Sequence, residues 1–280
     1  MSATCAAHLL PAAISKLRAA GVADPAIDVR RLLAFAMDVA PDRLLLHMQD
    51  GLDDAQALRF AGLIDGRVQR RPVSQLIGMR QFYGRNFKVT QDVLDPRPET
   101  EVLVEAALAE PFQTVLDLGT GSGAILLTLL AERTRARGLG VDISRAALDV
   151  ARDTRDTFGL AARAELLQSD WLDGVGGSFD LITCNPPYID GSVHAQLEPE
   201  PRLWEPQIAL TPGADGLHVY RTLAPQLLVH LVPRGRALFE VGAGQANEVA
   251  GFCAQAGLSD VEIVQDFDGR GRVVTARRPI

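Results

Sequence analysis

From about residue 114 onward the chain repeats one unit: a short apolar run, a glycine-bearing turn and a helical stretch. TVLDLG, GLGVDI, AELLQSD, FDLITCN and RALFEVG are brief enough to be buried strands, and the segments between them are long enough for helical crossovers. That alternation predicts an α/β fold with a doubly wound, mostly parallel sheet. The last two runs, VEIVQD and RVVTAR, are separated only by residues around FDGRG. So short a gap cannot hold a parallel crossover, so an antiparallel strand is expected near the C-terminal end.

The first 80 residues have a different texture. Asp24 is placed to N-cap a helix with Pro25 at its first position, and Val29, Leu32, Leu33, Ala36, Met37 and Ala40 recur at helical spacing. A second helix starts at Asp53, with Ala57, Phe60, Ala61, Ile64 and Val68 on one stripe. Residues 1–80 therefore read as a small helical bundle. Arg67, Arg70, Arg71 and Arg80 form a local positive cluster whose simplest reading is a solvated face. Residues 81–95 switch to alternation around Gly84, which predicts a linking β-hairpin. PRPETE (96–101) then breaks the chain before a domain spanning 96–280.

Composition narrows the partners. A net charge of -7 argues against a broad nucleic-acid surface, and residues 81–280 carry 18 Lys+Arg against 27 Asp+Glu. The three cysteines, Cys5, Cys184 and Cys253, are widely spaced without a CxxC pair, so neither a metal site nor a disulfide framework is expected. Cys184 reads as packing in an apolar strand. No charge-free run approaches a membrane span and the N-terminus lacks a basic signal region, so a cytoplasmic location without membrane partners is expected.

Two stretches carry chemistry. In Asp117-Leu-Gly119-Thr120-Gly121-Ser122-Gly123-Ala124, glycines after the first strand permit close approach of a ligand to backbone, and the following helix offers free N–H groups. Asp142, ending the second strand, is placed to hold a ribose diol. These features alone suit a nicotinamide enzyme as well as an S-adenosylmethionine (SAM) enzyme. Asp117, two residues before the first glycine, resembles the first motif of class I SAM methyltransferases, in which that acid helps receive the methionine ammonium. Asp170 and Trp171, after the third strand, suit an adenine: an acceptor for its amino group and an indole to stack on it.

The second stretch is TCNPPYID, residues 183–190. Pro186 and Pro187 lack backbone N–H groups, so the strand must stop at Asn185 and a stiff loop begins. A planar amide or amine nitrogen is a poor nucleophile, because its lone pair is delocalised. The Asn185 side-chain oxygen and the Pro186 carbonyl can accept its two hydrogens and aim its face at a methyl donor, while Tyr188 packs on the planar target. NPPY is shared by adenine-N6 DNA, guanine-N2 RNA and glutamine-N5 protein methyltransferases, and the flanks separate them. PRPETE at 96–101, DLGTGSGAI at 117–125, NPPYI at 185–189, EP at 205–206, DGL at 215–217, EVGAGQA at 240–246 and DGRGRVV at 268–274 occur in one order. Together they resemble the HemK/PrmC family, protein-(glutamine-N5) methyltransferases of peptide-chain release factors.

That resemblance implies a SAM site formed by Gly119, Thr120, Gly121, Ser122, Gly123, Asp142, Asp170, Trp171 and Asn185. It implies a grip on the glutamine of a release-factor GGQ loop by Asn185, Pro186, Pro187 and Tyr188, and an N-terminal bundle that helps hold the partner. Asp95, Thr154 and Trp204 depart from the family pattern, which bears on packing and partner fit. Glutamine methylation of a ribosomal protein, nucleic-acid amine methylation and a non-catalytic SAM-binding role remain alternatives.

Overall fold

The computed structural model describes residues 5–213 and 215–280. Its chain forms two compact units. One holds the chain up to Gly78 together with Glu198–Trp204; the other holds Met79–Leu197 and Glu205–Ile280.

The first unit is built on α1 (Ala6–Ala19), α2 (Pro25–Ala36), α3 (Asp54–Val68) and α4 (Val73–Ile77). Pro25 opens α2 as expected, but the Asp24 side chain makes no cap bond. Asp53 caps α3 in a reciprocal box, accepting from Gln56 N at 2.7 Å while its own N–H donates to Gln56 Oε1 at 3.1 Å. Leu17, Val29, Leu32, Leu33, Phe60 and Ile64 form the core. On α3 Leu63 is buried and Ala61 exposed, a small rotation of the expected stripe.

Part of the arginine cluster is not solvated. Arg67 is buried and its guanidinium meets Asp28 at 2.7 Å and Glu200 at 2.8 Å. Arg70 forks onto both oxygens of Glu200 at 2.7 and 2.6 Å, and Arg71 lies over the Trp204 ring. Trp204 also donates its indole N–H to Gln69 O at 3.0 Å and accepts from Gln75 through its carbonyl. The short helix α8 (Pro199–Trp204) is thus bound into this unit, and Trp204 is one of its anchors.

The second unit begins with a hairpin, β1 (Met79–Phe82) and β2 (Arg85–Lys88). Its turn residues Tyr83 and Gly84 have φ of 47° and 72°, the mirror-image turn that matches strand twist. The main sheet comprises β3 (Thr114–Leu118), β4 (Arg137–Asp142), β5 (Ala164–Gln168), β6 (Phe179–Cys184), β7 (Leu231–Glu240), β8 (Ser259–Gln265) and β9 (Gly271–Arg277). Their order is β5-β4-β3-β6-β7-β9-β8. The first five are parallel, and β9 runs antiparallel to both β7 and β8. The chain therefore winds outward from β3 through β4 to β5, then crosses back to β6 on the other side of β3. That reversal opens a crevice at the carboxyl ends of β3 and β6, where the glycine loop and NPPY begin.

Helices α5 (Glu101–Leu108), α6 (Ala124–Glu132) and α7 (Arg145–Thr157) follow PRPETE, the glycine loop and β4 in turn. One apolar layer gathers Leu103, Leu126, Leu127 and Phe87; another gathers Tyr220, Phe239, Val249 and Cys253. Cys184 is fully buried in the second, as packing requires, and burial pushes its thiol well up. Helix α6 lies close to β4 because that strand carries two glycines. A Cβ at Gly138 would sit 2.5 Å from Leu126 Cδ1 and 2.8 Å from Val115 Cγ1. Gly138→Ala is expected to cost about 1–3 kcal/mol by overpacking, read as a lowered urea midpoint with an unchanged slope.

Candidate active site

A cleft of about 300 Å³ opens at the carboxyl ends of the parallel strands. Gly119 and Gly121 supply its wall after β3, Asp142 after β4, Asp170 and Trp171 after β5, and Asn185 and Pro187 after β6. Seven of the residues singled out from sequence are thus brought together from four separate strand ends. Thr120, Ser122, Gly123, Pro186 and Tyr188 do not line the cleft. Thr120 and Ser122 are buried behind the loop, Gly123 (φ 81°) is the N-cap residue of α6, and Pro186 and Tyr188 pack inward.

The glycine loop is held from behind by two acids. Asp142 accepts from Gly121 N at 2.9 Å through one oxygen and from Ser144 N at 2.8 Å through the other, with the Ile143 N–H also facing it. Burial raises its pKa despite those bonds. Asp117 is fully buried and outside the cleft. It accepts from Thr120 Oγ1 at 2.7 Å and, across the β3–β6 pairing of Asp117 with Thr183, from Thr183 Oγ1 at 2.8 Å. Burial pushes it up to about 6, opposed by the two hydroxyls. The Trp171 ring covers Gly119 closely enough that a Cβ there would lie 3.3 Å from Cζ3.

The NPPY loop is tied down by residues that sequence reasoning quoted as motifs without giving them this work. Asn185 donates through Nδ2 to Thr100 Oγ1, in PRPETE, at 3.2 Å, and its Oδ1 accepts no hydrogen bond among the described residues. The Tyr188 carbonyl accepts from Gln245 Nε2 at 3.1 Å, and Gln245 Oε1 in turn accepts from Gly242 N at 2.9 Å. Gly216, in DGL, has no room for a side chain, because a Cβ would sit 2.4 Å from the Tyr188 carbonyl oxygen. Burial pushes the Tyr188 phenol up to about 12, so it stays protonated. Arg97, also in PRPETE, reaches both oxygens of Glu205 at 2.8 and 2.6 Å. That pair anchors the segment whose Pro206, Ile208 and Ala209 form another wall of the cleft. Val93, Leu94, Ile143, Ala147 and Val219 add to the apolar lining; as ordinary core-type residues they leave no mark in a sequence.

The fold is that of a class I methyltransferase. A methyltransferase from Pyrococcus furiosus superposes with a TM-score of 0.55 over 71% of this chain and 91% of its own, at 16% identity. The methyltransferase small domain family matches residues 90–201, and the PrmC N-terminal domain family matches residues 8–78. The release factor glutamine methyltransferase of Cereibacter sphaeroides is 53% identical over 98% of this chain and 99% of its own length. That of Rhodospirillum rubrum is 42% identical over 99% of this chain and 86% of its own. The chain belongs to the release factor glutamine methyltransferase family.

Glu205 makes the site's anchoring dependent on pH. Its side chain is almost wholly buried and its pKa is pushed up to about 7 by burial, with Arg97 opposing. A carboxyl whose folded pKa lies above its unfolded one binds its proton more tightly when folded. Its contribution to stability therefore falls as pH rises from about 4.5 to about 7. Arg97→Ala removes the opposing charge, so the loss is expected to be small at pH 6 and about 1–3 kcal/mol at pH 8. Urea unfolding at the two pH values checks the difference.

Proposed function

We propose that this protein transfers a methyl group from SAM to the side-chain amide nitrogen of the glutamine in the GGQ loop of a peptide-chain release factor. The observation that carries this reading is Asn185: it borders the cleft, its nitrogen is committed to Thr100, and its oxygen is left for a ligand. SAM supplies the methyl as an electrophilic sulfonium, and the cleft's residues fit it. Asp142 offers its carboxylate to ribose hydroxyls, Trp171 an aromatic face and Asp170 an acceptor to adenine. Gly119 and Gly121 offer close backbone approach.

At the other end, the Asn185 oxygen and the Pro186 carbonyl accept the two N–H groups of the incoming glutamine amide. Held this way, the amide nitrogen's face is directed at the methyl carbon. The nitrogen lone pair forms the new N–C bond, the C–S pair stays on sulfur as S-adenosylhomocysteine, and one N–H proton is lost to solvent water. Charge grows on the nitrogen as that bond forms, so both acceptors bind the transition state more strongly than the ground state. The N-terminal helical unit is proposed to hold the partner, and the cytoplasm is the expected place of work. No helix among the described residues is long and apolar enough to cross a membrane.

Labelled SAM with a release factor should place one methyl on the GGQ glutamine, and a GGQ→GGA factor should accept none. Equal labelling of the alanine version, or labelling of RNA, would overturn the substrate assignment. Asp142→Ala should weaken SAM binding by about 1–3 kcal/mol in a calorimetric titration. Asn185→Ala should slow single-turnover transfer by about 10²–10³ while SAM affinity changes little. A near-normal rate would remove Asn185 from the mechanism.

A further inference from the structure

Glu240 ends β7 beside the NPPY loop. In the parallel β6–β7 ladder Cys184 pairs with Phe239, so the next residues, Asn185 and Glu240, leave the two strands side by side. Glu240 is 1% exposed, and neither carboxylate oxygen makes a hydrogen bond of regular geometry among the described residues. Burial pushes its pKa up to about 7; the Thr100 hydroxyl is the strongest influence holding it down, followed by Arg272.

The other groups facing it do not satisfy it. Arg272 spends its guanidinium on Asp266 and the Val241 carbonyl, and Tyr220 donates to the Glu240 main-chain oxygen at 2.8 Å. Glu99 raises the Glu240 pKa and Arg97 lowers it. Tyr188 and Cys184 have their own pKa values raised partly by the Glu240 charge, so neither gives up a proton near neutral pH. Leaving a buried carboxylate so poorly partnered destabilises the folded state, and a glutamine of the same shape would avoid that cost.

We infer that Glu240 is a positioning residue for methyl transfer, which acts through the Thr100 hydroxyl to set which end of the Asn185 amide faces the cleft. The inference rests on the glutamine-methylation reading above. A carboxylate has no proton to give, so the Thr100 hydroxyl that holds the Glu240 pKa down can only turn its own proton towards Glu240. The Thr100 lone pair is then what remains for Asn185, and only Nδ2–H can meet it, at the 3.2 Å seen. Oδ1 is thereby turned towards the substrate nitrogen. When Glu240 is protonated it becomes the donor to Thr100, and the Thr100 proton is released towards Asn185. The amide turns over to accept it, and the cleft receives Nδ2–H, a donor facing the substrate's own donors.

The test is single-turnover methyl transfer between pH 6 and pH 8.5, at saturating SAM and release factor, on the full chain. The wild-type rate should rise as pH passes about 7. Glu240→Gln should lose that rise and run about 5–10-fold below wild type at pH 8, with a melting temperature at pH 8 no lower than wild type. Thr100→Val should be about 10–100-fold slower at unchanged SAM affinity, and Thr100→Ser should restore the rate to within about twofold. A purely structural Glu240 would instead give a lower melting temperature and keep the pH rise.

The Asn185 side-chain amide resonances provide a readout that needs no methyl acceptor. Assigned by their loss in Asn185→Ala, they should titrate with a midpoint near 7 in the wild type and stay flat in Glu240→Gln. A flat wild-type titration, an unslowed Thr100→Val or a retained pH rise in Glu240→Gln overturns the inference. Failure of the wild type to methylate the release factor overturns the glutamine reading alone, and the resonances then decide whether Glu240 orients Asn185.

Discussion

Two consecutive prolines at the end of β6 deprive the chain of backbone donors at the point where it borders the cleft. Pro186 and Pro187 cannot be held by a ladder, so besides the Ile189 N–H bond to the Leu210 carbonyl the loop relies on side chains sent from elsewhere. Thr100 holds Asn185, Gln245 holds the Tyr188 carbonyl, and Gly216 leaves room for that carbonyl. The motifs scattered between residues 96 and 246 are therefore parts of one scaffold.

The same end of the sheet concentrates buried acids. Asp117, Glu205 and Glu240 all lie behind or beside the cleft, and burial raises each of them towards neutrality. Hydrophobic packing alone gives no reason for this, since each buried charge weakens the fold as pH rises. What the acids provide is direction. A carboxylate accepts and never donates, so every hydroxyl or guanidinium facing it is oriented. Thr120 and Thr183 are turned towards Asp117, and Arg97 towards Glu205. Rigid placement of this kind suits a reaction that depends on aiming a weak nucleophile.

The two units differ in how their charges are used. In the first, Arg67 and Arg70 converge on Glu200, about 130 residues further along the chain, and draw α8 into the helical unit. In the second, Arg97 reaches both oxygens of Glu205, the residue that follows α8. The excursion Glu198–Trp204 is thus fastened from within at Glu200, and the residue that follows it, Glu205, is held by Arg97.

Strand identity, the parallel order of the first five runs and the antiparallel ending were legible in the sequence, because they depend on local apolar runs and on the chain length between them. So was the gathering of Gly119, Gly121, Asp142, Trp171 and Asn185 at one edge of the sheet, since residues at strand ends are carried to the same edge. The fate of the arginine cluster was not: nothing near Arg67 or Arg70 in the chain announces Glu200. Nor did the motifs reveal that Thr100 and Glu240 flank Asn185, or that Thr120, Ser122 and Tyr188 turn away from the cleft. Periodicity determines which face of its own element a residue occupies. Only the three-dimensional fold decides which distant side chain it meets there, because burial and hydrogen-bond partners are set by the packing of elements far apart in the chain.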